Sequence, residues 1–192
     1  MKTQTIIALK FLLAMTILTG IIYPLIMTGL AQLSYPAKAN GSIILKDGKI
    51  IGSGLIGQKF DSSIYFWPRP SAIDYYPVPS SSSNLGPISK KLKMQVEERS
   101  VLFATEHSIS DLTSIPKEMI FASGSGLDPH ISPLAAMLQL ERVTAERKMN
   151  TKEKEDLVQL IKRLSEKPQF SLFGEPRINV FKLNLALDNI NP

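Results

Sequence analysis

The sequence has no cysteine, a single tryptophan and two histidines in 192 residues. Without cysteine there is no disulfide, no thiolate-held zinc and no thiol nucleophile, and the redox state of the compartment has no covalent hold on the fold. His107 and His130 stand far apart, with no second ligand at the short spacing a metal site uses, so no metal is expected. A strong excess of one charge is also missing. Lys2 and Lys10 precede a long apolar run, and the remainder carries 20 basic against 17 acidic residues, a net +3. That balance argues against nucleic acid as a partner.

Charge is absent altogether from Phe11 to Ala37. A bilayer core needs about 20 helical residues, and Phe11 to Leu33 is long enough to span it. A cleaved signal peptide is the competing reading, with Ala37, Lys38 and Ala39 resembling a cleavage site. Its apolar core normally has only ~7–15 residues, and length therefore favours an anchor. Thr16, Gly20, Pro24 and Thr28 recur every fourth residue, so they share a face on which small side chains let a second helix approach. Pro24 removes a backbone donor and is expected to kink the helix. Lysines flank both ends of the run and leave its orientation undecided by charge.

The remainder divides the chain into an N-terminal tail and membrane helix, residues 1–37, and one folded domain, residues 38–192. Asp47 and Gly48 between two apolar runs, Ser42 to Lys46 and Lys49 to Gly52, predict a hairpin. Tyr65 to Pro70, with two prolines around an arginine, is neither central strand nor mid-helix. Tyr75 to Pro87 reads as loop. A helix is predicted from Ile88 to about His107, with Leu92, Val96, Leu102 and Phe103 inward. A second begins at Ser132 and Pro133 and runs to about Lys148. A third runs from Thr151, as its cap, to about Glu166, with Leu157, Ile161 and Leu164 as its stripe and Pro168 beyond it. Arg177 to Leu187 alternates and reads as a closing strand. The fold class is α+β, with about three helices and a small sheet behind one transmembrane helix.

The segment Ser123, Gly124, Ser125, Gly126, Leu127, Asp128, Pro129, His130 leads into the second helix and holds the densest chemistry. A hydrolase would use Ser123 or Ser125 with His130 and Asp128, but no G-x-S-x-G frame is present and all three groups crowd one loop. The glycines could instead cradle a phosphate, but the lysine of a phosphate loop is missing. The favoured reading is a glycine-rich turn entering a capped helix.

Taken in order, several blocks resemble the C subunit of the Kdp-type potassium-transporting ATPase. They are Tyr23 and Pro24; Ala39 to Ser42; Gly52 and Ser53 with Leu55 to Gln58; Tyr65 to Ala72; Ser83 to Pro87; Ala122 to Pro133; Gly174 to Val180; and Leu183 to Asp188. The resemblance implies a non-catalytic accessory subunit in the cytoplasmic membrane. It would have a single span, a cytoplasmic N-terminus and the folded domain outside. The implied partners are a channel-like potassium-binding subunit, a P-type ATP-hydrolysing subunit and membrane lipid. The phosphorylation motif of P-type pumps, DKTGT, is absent. ATP association enters from the resemblance alone, since the family is also described as a catalytic chaperone that raises ATP affinity. A domain outside the cell meets no cytosolic ATP, and assembly of the complex is therefore the expected role. The membrane-tethered Ser/His/Asp hydrolase is the alternative.

Overall fold

The computed structural model describes residues 2–191, and these fall into two compact units, Met1–Ser53 and Gly54–Pro192. In the first unit one continuous helical rod, Lys2–Ser34, is long and apolar enough to cross a membrane. It is made of α1 (Lys2–Ile17), a π turn (Leu18–Ile22) and α2 (Tyr23–Ser34). The π turn ends two residues before Pro24. The Tyr23 N–H reaches back to the Leu18 carbonyl, so the ladder widens by one residue just before proline interrupts it. The Thr19 hydroxyl donates to the Met15 carbonyl at 2.7 Å in the preceding turn. In a regular α-helix, residues four apart drift by ~40°. A wider turn between Thr16 and Pro24 takes up part of that drift and draws the small-residue face into line.

A short turn, α3 (Pro36–Ala39), leads to the antiparallel pair β1 (Ile43–Lys46) and β2 (Lys49–Ser53). Asp47 and Gly48 both adopt positive φ, 52° and 74°, as the tight two-residue hairpin turn requires. A bulge after Ile44 leaves Ile51 as the extra residue of β2.

The second unit carries three long helices: α4 (Lys90–Glu106), α6 (Pro133–Glu146) and α7 (Thr151–Leu164). Their starts are set by local chemistry. The hydroxyls of Ser89 and Ser132 accept from the Leu92 and Ala135 N–H groups, and Pro133 takes the first helical position. The α7 cap is Asn150, one residue before the expected Thr151. Asn150 and Glu153 exchange side-chain-to-backbone bonds in a full capping box, which Thr151 would not complete. On α4, Phe103 is buried and Leu92 and Val96 are half-buried, but Leu102 is 53% exposed, against expectation. The buried line runs through Ser100, Phe103, Ala104 and His107, which places Leu102 about a quarter-turn away.

Two elements differ more from the sequence reading. Arg177 to Leu187 is not a strand: only β4 (Ile178–Asn179) pairs, with β3 (His130–Ile131), and Val180–Leu187 forms α8. The Asn179 side chain accepts from the Lys182 N–H and starts the helix. Val180, Leu183, Asn184 and Leu187 then fall inward at helical spacing. A short turn, α5 (Lys117–Ile120), contributes Met119 and Ile120 to the core and has no sequence signal strong enough to announce it. The core gathers Phe66, Phe103, Ile131, Ala135, Ala136, Leu140, Val143, Leu157, Ile161, Ile178, Leu183 and Leu187.

Candidate functional site

Ser63 to Trp67 has no strand partner and carries fully buried Phe66, flanked by half-buried Tyr65 and Trp67, so side chains meet its backbone polar groups. Asn184 on α8 accepts from the Phe66 N–H at 2.9 Å and donates to the Phe66 carbonyl at 3.0 Å. Gln139 on α6 does the same for Trp67, at 2.7 and 3.1 Å. Two primary amides thus stand in for a neighbouring strand.

Arg142, three residues after Gln139, completes the clamp. Its guanidinium donates to the carbonyls of Ser63 and Tyr65, to Gln139 Oε1 and to His107 Nε2, and lies 4.4 Å from the Trp67 ring centroid. Burial lowers its pKa to about 10, opposed by the charges of Glu106 and Glu146. His107 accepts at Nε2, which leaves Nδ1 to donate to the Phe103 carbonyl at 2.7 Å and defines the neutral tautomer. Its ring stacks on Phe103 and meets Trp67 edge-on. Burial, with Arg142 adding to it against the Phe103 bond, pulls the His107 pKa down to about 4.

The loop Ser123 to His130 is bonded to the residues that follow the Ser63 to Trp67 segment, Arg69 to Ser71, and to more distant groups. The Ser123 N–H donates to the Pro70 carbonyl, and the Ser80 and Ser71 hydroxyls donate to the carbonyls of Ser125 and Gly126. The Gly57 N–H donates to the Leu127 carbonyl at 2.7 Å, and the Val180 N–H to that of Pro129 at 2.9 Å. Gly126 sits at φ +71°, and a Cβ there would lie 2.5 Å from Ile73 Cγ1. Gly124 has nothing within 4 Å. One of the two glycines is therefore demanded by geometry and the other is not.

Asp128 ends the loop. Its carboxylate takes a 2.7 Å bond from Arg69, accepts from the His130 N–H at 3.0 Å and lies 3.5 Å from His130 Nδ1. Burial opposes its ionisation, but donation from His130 and from Arg69, with the charge of Arg69, wins and holds the carboxyl at about 2. Tyr75 donates to the Arg69 carbonyl, and its phenol is raised, by burial first and the Asp128 charge second, so it stays protonated. Arg69 Nε is buried without a hydrogen-bond partner. Arg69, Asp128 and His130 line an open cleft of about 890 Å³, shared with Glu118, Glu175 and Arg177.

Asp128 and His130 are thus brought together, while the serines are not joined to them. Ser123 is buried, Ser125 Oγ accepts from the Leu127 N–H, and neither hydroxyl bonds to His130. A triad needs the nucleophile hydrogen-bonded to the histidine, and that pair is not formed here. Among the described residues no group of three His, Asp or Glu side chains is placed to hold a metal. Sequence reasoning missed Gln139, Arg142, Asn184 and His107. Their one signal is polarity on an otherwise apolar stripe: Gln139 and Arg142 share the face of Ala135, Ala136 and Val143.

Through Gly57, Arg69 to Ser71 and Val180 the loop bonds to three of the blocks that carry the family resemblance, Leu55 to Gln58, Tyr65 to Ala72 and Gly174 to Val180. A family model, KdpC, described as the c chain of the K+-transporting ATPase, matches residues 5–189. The chain belongs to the KdpC family. Among relatives named potassium-transporting ATPase KdpC subunit, one from Methylococcus capsulatus is 48% identical over 184 residues, covering 94% of this chain and 95% of its own. One from Leptospira interrogans is 44% identical over 183 residues, covering 95% and 92%. One from Dechloromonas aromatica is 42% identical over 194 residues and covers both chains fully.

Proposed function

We propose that this chain is a non-catalytic accessory subunit of an ATP-driven potassium-transport complex, one that assembles and stabilises a channel-like subunit and a P-type ATP-hydrolysing subunit. The observation that carries the reading is the family match over residues 5–189, which takes in the membrane helix as well as the folded unit. The site geometry supports it. Asp128 is locked to Arg69, His107 is enclosed and neutral, and no nucleophile is bonded to a base at the loop. The chain would cross the cytoplasmic membrane once, with its N-terminus in the cytoplasm and the Gly54–Pro192 unit outside. A rise in the ATP affinity of the hydrolysing subunit is then transmitted through subunit contacts, not through nucleotide held by this chain. Thr16, Gly20, Pro24 and Thr28 form the face on which another helix packs.

Extraction in mild detergent from potassium-starved cells tests the assembly. The chain should copurify with two larger membrane proteins, and Gly20→Leu should weaken that association. Recovery of the chain alone would defeat the reading. Protease added to intact cells should reach the C-terminal unit, and complete protection would reverse the orientation.

A further inference from the structure

Eight residues separate the end of the membrane helix at Ser34 from the start of β1 at Ile43, and they are folded back on the helix end. Gln32, in the last turn of α2, exchanges two amide hydrogen bonds with Asn40, at 3.1 and 3.2 Å. Asn40 also donates to the Pro36 carbonyl at 2.8 Å, and the Ser42 N–H to that of Ala37 at 2.8 Å. The far end of the hairpin is tied to the same link, the Ser53 hydroxyl donating to the Gly41 carbonyl at 2.6 Å. Eight residues span at most ~28 Å when extended, and this link is shortened by α3. The hairpin therefore begins at the water–lipid boundary that the helix defines. Tyr35, with the Lys38 ammonium 5.5 Å from its ring, marks that level as an interfacial aromatic does.

The strand register sorts the hairpin side chains into two faces. Ile43 opposes Ser53 and Leu45 opposes Ile50, so Ile43, Leu45 and Ile50 share one face. They are 51%, 62% and 69% exposed. Lys46 opposes Lys49 on the other face, at the turn. Like charges directly across a strand pair are unfavourable in water, and a lone two-stranded hairpin is marginal there. Both costs are relieved at an anionic lipid surface. From Tyr35 to Ser53 the ionised side chains are Lys38, Lys46 and Lys49 against Asp47, a net +2. An apolar face backed by lysines is the arrangement of elements that lie in the membrane interface.

We propose that the β1–β2 hairpin lies on the membrane, with Ile43, Leu45 and Ile50 in the lipid interface and Lys38, Lys46 and Lys49 meeting the phosphates of anionic headgroups. The occupant of the exposed apolar face is thus lipid, held there by continuity with the span and by charge.

The cysteine-free chain makes the test clean. The full chain carrying Leu45→Cys, labelled with an environment-sensitive fluorophore, is reconstituted without other subunits into vesicles of phosphatidylcholine, with or without phosphatidylglycerol. Its outcome is therefore independent of the assembly proposed above. The label should be quenched by phospholipid bearing a nitroxide high on its acyl chain and poorly by an aqueous quencher. Ile50→Cys, on the same face, should repeat the result if labelling at Leu45 disturbs the strand. In the anionic vesicles, Lys46→Gln and Lys49→Gln should each lower the ratio of docked to undocked hairpin by about fivefold. A label open to the aqueous quencher in both vesicle types overturns the proposal. So does a label shielded from water but untouched by lipid nitroxides, since protein would then cover the face. Quenching indifferent to both lysines and to phosphatidylglycerol overturns the headgroup assignment.

Discussion

Acid should loosen the folded unit through His107, and the size of the effect follows from its surroundings. Folded, His107 titrates at about 4 against an ordinary 6.5, because burial and the Arg142 guanidinium at Nε2 disfavour the cation. Between those values the unfolded chain binds the extra proton, so stability is whole above pH 6.5 and is lost as pH falls through the window. At about 1.4 kcal/mol per unit, the full shift is worth about 3 kcal/mol, and about 2 kcal/mol of it is lost between pH 7 and pH 5. Asp128 adds nothing in that interval, since its depressed pKa of about 2 makes it lose stability only below the ordinary carboxylate range. The assay is urea unfolding of the full chain in detergent, read by the fluorescence of Trp67, the single tryptophan, whose ring lies 5.4 Å from that of His107. The substitution His107→Gln keeps a donor and an acceptor but does not titrate. The stability difference between the natural chain and this variant should therefore change by about 2 kcal/mol from pH 7 to pH 5. A difference that is constant over that range would refute the tautomer and burial argument together.

Three further outcomes follow from the same geometry. Asn184→Ala leaves both backbone groups of fully buried Phe66 without partners and should cost about 3 kcal/mol in urea unfolding, with a shift in the Trp67 spectrum. Gly126→Ala combines positive φ with a 2.5 Å clash and should cost about 2–4 kcal/mol, whereas Gly124→Ala, facing open space, should stay within about 0.5 kcal/mol by thermal unfolding. Removing the α7 capping box with Asn150→Ala should cost about 1 kcal/mol, and Thr151→Ala markedly less.

Local rules account for much of the fold. Asp47 and Gly48 are the cheapest residues for a two-residue hairpin turn, and the hairpin forms there. Ser132 before Pro133 starts α6 for reasons contained in two residues. The misread C-terminus shows where such rules stop. Val180 to Leu187 is rich in strand-forming residues and alternates in part, but the Asn179 side chain caps a helix there, and Asn184 is wanted on that helix to hold Phe66. The candidate site was legible only as a loop. Ser123 to His130 stood out by composition, while its partners Arg69, Gly57 and Val180 lie 51 to 70 residues from the groups they bond, and nothing in their own neighbourhoods announces them.

The sequence by itself determined the long apolar helix, the hairpin turn, the start of α6 and the family, because each rests on short-range chemistry or on the order of blocks along one chain. The tertiary structure alone decided what those blocks do for one another. Tyr65 to Pro70 cannot pair as a strand, so its buried backbone must be satisfied by Gln139, Arg142 and Asn184 from distant helices. It also decided that Asp128 is spoken for by Arg69 and that His107 stays neutral. Burial and long-range hydrogen bonding set both, and neither has a signature in the order of residues.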